Sequence, residues 1–204
     1  MKENMKKYSG GELNELYDIL KHIGALCDND LFVEKASVYK GDVVVDGDLT
    51  ADFFEGDVDF ALIDGNLIVN GDINPDEETF PNLLILGNLS GNNLQNGEEL
   101  VAISGNLNIK NMIYATYNSG GLKVDGKTTA QFLINHDHWL IMPNVEVAYK
   151  ILPYNDEQMD DAIQYNMLKS DFIEKLHPNY LIDGDDIDMP HLIQDIKEGK
   201  EIFK

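Results

Sequence analysis

The sequence predicts a mainly β protein built on a single-stranded parallel β-helix, a solenoid, with an N-terminal helical cap and C-terminal helices. Three observations predict it. A tripeptide of Gly, then Asp or Asn, then Leu, Ile or Val starts at Gly41, Gly47, Gly56, Gly65, Gly71, Gly87 and Gly105, whereas composition alone predicts about one such match. Short aliphatic runs lie between the copies, among them Val43-Val44-Val45, Leu67-Ile68-Val69, Leu83-Leu84-Ile85 and Val101-Ala102-Ile103. Both ends of the chain abandon this pattern for helical spacing.

A short strand, a Gly corner and another short strand suit one coil of a parallel β-helix. With Gly47, Gly71, Gly87, Gly105 and Gly126 taken as equivalent corners, the steps are 24, 16, 18 and 21 residues. Gly supplies a positive φ at such corners, and Asp or Asn satisfies the turn amides. Val45, Val69, Ile85 and Ile103 are expected to stack inward as a continuous core. The alternative is an antiparallel β-sandwich, because Asp46-Gly47, Asp64-Gly65, Asn70-Gly71 and Asp125-Gly126 are hairpin dipeptides. Hairpins want arms of matched length, and the arm after Gly is often only three or four residues, which favours the solenoid.

From Gly11 onward, Leu13, Leu16, Leu20 and Ile23 fall at helical spacing. Near the other end Asn155 or Asp156 opens a helix through about Leu176, which Pro178 ends. A second short helix, Pro190 to Glu198, stops at Gly199. Terminal coils expose apolar core and unpaired strand edges, so these helices are read as caps. The expected organisation is a cap over 1–28, a solenoid over 29–150 and a helical cap over 151–204.

Charge narrows the function classes. The net charge is −22, and all 15 basic residues are Lys, with no Arg. Nucleic-acid binders need basic residues to displace counterions from phosphate, and anionic membranes repel an acidic surface. Direct nucleic-acid or membrane binding is therefore not expected. Residues 41–80 hold 12 acidic residues and no Lys. Within that run Asp42, Asp46, Asp48, Asp52, Glu55, Asp57, Asp59, Asp64 and Asp72 are the candidate contacts for a basic protein partner. No apolar run approaches the length of a membrane helix, and the N-terminus leads into no signal-like h-region. With Cys27 the only cysteine, the cytoplasm is the expected compartment.

Motifs for chemistry are sparse, and no enzyme activity or cofactor is expected. His136 and His138 form the best metal pair, because residues i and i+2 of a strand share a face and both imidazoles would reach one divalent ion. Two ligands make a weak site, and the positions where a cupin would supply Glu are Met142 and Pro143. The strict nine-residue Gly-Asp period of calcium-binding β-rolls is absent, as is the six-residue apolar period of hexapeptide acyltransferases. No nucleophile elbow or phosphate-binding Gly loop occurs. Cys27 and His22 sit about one helical turn apart, which core packing explains equally well.

Residues 37–135, with Val-Val-Val-Asp-Gly-Asp-Leu and Ile-Val-Asn-Gly-Asp-Ile among their repeats, resemble the bactofilins, polymer-forming bacterial β-helix proteins. The resemblance implies a parallel β-helix and, as a functional expectation, a scaffold that assembles with itself. Two features depart from that family: helices at both ends and coils of uneven length. A charge of −22 also opposes self-association at low salt. The reading preferred from the sequence is thus a non-catalytic acidic solenoid that binds a basic protein, such as a toxin that it neutralises as an immunity protein does. The self-assembling scaffold is the alternative.

Overall fold

A computed structural model describes residues 5–27, 33–54, 58–74, 80–117, 119–151, 169–182 and 186–204. The chain opens with β1 (Met5–Tyr8), α1 (Gly10–Tyr17) and α2 (Ile19–Ile23). Strands then alternate between two sheets: β2 (Ala36–Lys40), β3 (Val43–Val45), β4 (Phe60–Asp64), β5 (Leu67–Val69), β6 (Asn82–Ile85), β7 (Leu89–Asn96) and β8 (Leu100–Ile103). They continue as β9 (Leu107–Thr116), β10 (Gly121–Val124), β11 (Lys127–His136), β12 (Trp139–Ile141) and β13 (Asn144–Ile151). From β2 to β13, the even-numbered strands stack in parallel as sheet A, and the odd-numbered ones as sheet B. The product is a parallel β-solenoid of about five turns. No hairpin forms at the Asp-Gly and Asn-Gly dipeptides of the repeat. Asp64-Gly65, for example, links β4 to β5 across two different sheets, so the sandwich does not form.

Each coil has three sides. Sheet A is the first, and the front part of sheet B is the second. Strands β7, β9 and β11 change register between Gly91 and Asn93 and between Thr129 and Phe132, which bends the sheet into a third side. In the first two coils that third side is reduced to the parallel bridges Leu49–Ile73 and Ile73–Leu94. Alternate residues point inward from all three sides. Ile63, Ile85 and Ile103 from sheet A meet Leu67, Leu89 and Leu107 from sheet B, together with Leu94, Ile113 and Leu133 from the third side. Burying each such side chain is worth about 1.5–3 kcal/mol, and the stack repeats it coil after coil.

The corner assignment differs from the one expected. Gly47 and Gly71 occupy one corner, whereas Gly87 and Gly105 occupy another, in a column that runs Gly41, Gly65, Gly87, Gly105, Gly126. The coils therefore step by 24, 22, 18 and 21 residues. Val45 pairs with Val69 in sheet B, while Ile85 pairs with Ile103 in sheet A; all four point inward, but on two different sides. Because the first two coils each carry two Gly-Asp/Asn corners, Gly41 with Gly47 and Gly65 with Gly71, the spacing does not reveal which corner a copy belongs to. The reason for Gly also differs. Among the described glycines of the repeat, only Gly41 and Gly47 have a left-handed φ, +86° and +100°. At Gly65 a Cβ would lie 2.4 Å from the carbonyl carbon of Gly41, so close approach between coils is what excludes a side chain there.

The described helices flank the solenoid. Leu13, Ile19, Ile23 and Leu26 pack on the outward residues of sheet A, Val38, Leu62, Leu84 and Ala102, and so run across four coils. Sheet A is consequently buried on both faces from β2 to β8. The single helix expected from Leu13 to Ile23 breaks at Asp18, which has a left-handed φ of 48°. The break turns the second half out of phase, leaving Leu16 62% exposed while Ile19 is buried. What closes the N-terminal edge of sheet A is β1, paired antiparallel with β2.

At the other end the helix expected from residue 155 lies mostly outside the described residues, and its last part is α3 (Lys169–Lys175). It is followed by the two-residue strands β14 (Leu181–Ile182) and β15 (Asp186–Ile187). Then comes α4 (Met189–Lys197), which Asp188 caps by accepting from the His191 amide. This unit covers the outward side of the third face. Phe172, Leu176, Leu192 and Ile196 form one cluster with Met112, Phe132, Ile134 and Ile151. Phe203 packs between Tyr149, at 4.6 Å, and Phe172, edge-on at 5.7 Å. Lys197 Nζ donates to Gln95 Oε1 at 2.7 Å and ties α4 to the solenoid.

Candidate protein-binding face

Stacked corners need acceptors, because each turn presents amides that no strand pairs. In the column after the glycines, Asp42 Oδ1 accepts from the Asn66 amide at 2.8 Å and from Asn66 Nδ2 at 2.9 Å. Asn66 Oδ1 does the same for Asn88, Asn88 Oδ1 accepts from the Asn106 amide, and Asn106 Oδ1 accepts from the Lys127 amide. At the second corner Asn70 Nδ2 donates to Asp46 Oδ1, the Asp72 amide to Asp48 Oδ1, and Asn93 Nδ2 to Asp72 Oδ1. Every one of these roles uses a single side-chain oxygen, which Asn supplies as well as Asp. Later coils do use Asn. The negative charges of Asp42, Asp46 and Asp48 are therefore not required by the ladder that these residues anchor.

Those three residues are exposed and border the front of sheet B. Its outward row reads Val44, Ile68, Ser90, Asn108, Thr129, Glu146 from first coil to last. Val44 and Ile68 are 40% and 38% exposed. Sheet A lies under α1 and α2, and the third face lies under the C-terminal helices. Among the described residues, the front of sheet B is the solenoid side with no helix packed on it. It is apolar and acid-rimmed in the first two coils and neutral and hydroxyl-rich in the middle. Near its far end Lys127 and Glu146 form an ion pair at 2.6 Å.

The acidic residues singled out in the sequence are not one cluster. Asp42, Asp46, Asp48 and Asp72 surround this open side. Asp52 lies beyond it, exposed on the return from the third side. Asp59 and Asp64 flank β4 in sheet A, where each has a local partner: Asp59 Oδ2 accepts from the Glu34 and Lys35 amides at 2.9 Å, and Asp64 Oδ2 accepts from the Tyr17 hydroxyl at 3.3 Å. Glu55 and Asp57 lie outside the described residues. Val44 and Ile68, outward-facing apolar residues in strands whose other positions are buried, were visible in the sequence only as parts of apolar runs.

The histidine pair is not placed on a common strand face. Strand β11 ends at His136, and Asp137 has a left-handed φ of 61°, so the two-residue alternation stops there. His138 turns inward, with Nδ1 2.9 Å from the Thr116 carbonyl and 2.8 Å from the Tyr117 carbonyl. Two carbonyl acceptors require Nδ1 to carry the proton. Burial holds this imidazole below its usual pKa. Among the described residues no group of three or more His, Cys, Asp or Glu is arranged to hold a metal. Likewise Cys27 Sγ lies near the Ile23 and Gly24 carbonyls, while His22 Nδ1 lies 3.0 Å from Ser104 Oγ.

A second polar cluster, not anticipated from the sequence, occupies the corner between the third side and sheet A. Glu99 is 8% exposed there, and its Oε1 accepts from Asn74 Nδ2 at 3.1 Å and from the Gly97 amide at 3.0 Å. Burial raises its pKa, against the effect of those hydrogen bonds.

No family model matches this chain, and no curated protein or solved structure matches it. No helix among the described residues is long and apolar enough to cross a membrane.

Proposed function

We propose that this protein is a non-catalytic β-solenoid that binds a basic protein partner through the front of sheet B in its first two coils. An immunity protein that neutralises a basic toxin is the kind of role this suits. One observation carries the reading: among the described residues, helices cover two sides of the solenoid and none packs on the side where Asp42, Asp46, Asp48 and Asp72 rim the exposed Val44 and Ile68. A small apolar centre with a charged rim is the usual anatomy of a protein-binding patch. The acidic rim adds electrostatic acceleration of encounter with a cationic surface.

The self-assembling scaffold suggested by the bactofilin resemblance is less well supported. End-to-end stacking of coils would have to extend both sheets in parallel, and β1 occupies the first edge of sheet A in the antiparallel sense. The test uses the triple substitution Asp42→Asn, Asp46→Asn, Asp48→Asn, which keeps every Oδ1 acceptor. A partner is first isolated from the native host, and association rates are then measured at low and high salt. The expected result is a several-fold slower on-rate for the triple variant at low salt, with the difference shrinking as salt rises. An on-rate unchanged by salt and by the substitutions would refute the proposal.

A further inference from the structure

Building on that reading, we infer that the recognised element is an extended basic segment, which adds to the free edge of β3 as a further strand. Strand β3 ends the order of sheet B, and among the described residues β5 is the strand bonded to it. The Val43 amide donates to the Asn66 carbonyl and the Asn70 amide donates to the Val45 carbonyl. In a parallel ladder the N–H and C=O of one residue point to the same side and successive residues alternate. Val43 and Val45 therefore face β5, and the Val44 N–H and C=O face away from the solenoid. The chain seals the matching edge of sheet A with β1, which carries the exposed Lys6 and Lys7, an ordinary protection for an edge. The edge of sheet B bears the opposite charge.

The chemistry of the occupant follows from what borders this edge. Asp42 and Asp46 lie at either end of β3, four residues or about 13 Å apart along an extended chain. A strand laid beside β3 would place its middle residue in the Val44–Ile68 row and two outer residues next to the carboxylates. The fitting segment has an apolar or β-branched centre and Lys or Arg four positions apart. Main-chain pairing would provide the affinity and the two charges the selectivity, the division seen in strand-addition complexes.

The probe is a dye-labelled peptide of sequence GKTVTKG, titrated into the full chain by fluorescence anisotropy. Its controls are the same peptide with its central amides N-methylated, and a helix-forming peptide of equal charge. Strand addition predicts that N-methylation weakens binding at least tenfold and that the helical peptide binds no better than the methylated one. It also predicts that the Val44 amide gains hydrogen-exchange protection on binding. Val44→Pro removes that outward N–H without removing a bond to β5, and should weaken the unmodified peptide to the level of its methylated form. If the methylated and unmodified peptides bind alike, strand addition is wrong, and salt-dependent binding of both would leave the acidic-face reading standing. If the free protein sediments as a dimer that Val44→Pro converts to monomer, the edge is occupied by a second copy and the inference also falls. The methylated peptide keeps the test decisive should Val44→Pro not fold.

Discussion

Glu99 and His138 are titratable side chains buried at corners of the solenoid, and burial moves their pKa values in opposite directions. For Glu99 the folded-state pKa is raised. Its contribution to stability is complete below the unfolded value of about 4.3 and is lost as pH rises through the folded value. At neutral pH an ionised Glu99 therefore opposes folding. Glu99→Gln keeps an oxygen acceptor for Asn74 and Gly97 and removes the charge. Its Tm is expected to exceed that of the parent at pH 8, with the gap closing by pH 4; an equal gap at both pH values would contradict this. For His138 the folded-state pKa is lowered, so the unfolded chain takes up the proton first and stability is lost as pH falls below about 6.5. His138→Gln should flatten that part of the pH–stability curve. Neither effect was legible in the sequence, since burial of these positions depends on which corner of which coil they occupy.

Among the elements, the glycine column shows how one residue type serves two physical needs. Gly41 has open space around its missing Cβ but a left-handed φ of +86°. Gly65 has an ordinary φ, but its Cβ would collide with the Gly41 carbonyl. Gly41→Ala should thus cost about 1–2 kcal/mol, the ordinary cost of placing an L-residue in that region. Gly65→Ala should cost at least about 3 kcal/mol, because two coils must separate. Urea denaturation of the two variants measures both, and equal costs would show that inter-coil contact is not what selects Gly65. The repeat announced these corners plainly. It did not distinguish φ from close approach, because both demands read as Gly. The first helix teaches the reverse lesson: apolar spacing located it, but a single left-handed residue at Asp18 decided which apolar side chains it buries.

At the scale of the whole molecule, a net charge of −22 sets a cost that the fold concentrates. Neighbouring strands stand about 4.8 Å apart, so acids spread over 24 residues of sequence become near neighbours around the first two coils. The triple variant at Asp42, Asp46 and Asp48 should therefore melt higher than the parent in 20 mM salt. The two should converge near 1 M, where screening shortens to about 3 Å. A lower Tm for the variant at every salt concentration would mean that the corner ladder does need the carboxylates. The sequence by itself determined the class of fold, the acid-rich segment and the need for helices outside the solenoid. These follow from local composition and from a period carried by adjacent residues. Only the tertiary structure decided that the described helices lie along the sides of the solenoid, that Asp59 and Asp64 are held by local partners, and that Val44 and the acidic rim share an edge that no described strand or helix covers. Each of those depends on which coils stack on which, a relation between residues 18–24 apart whose identical corner motifs leave the register ambiguous until the apolar faces are packed.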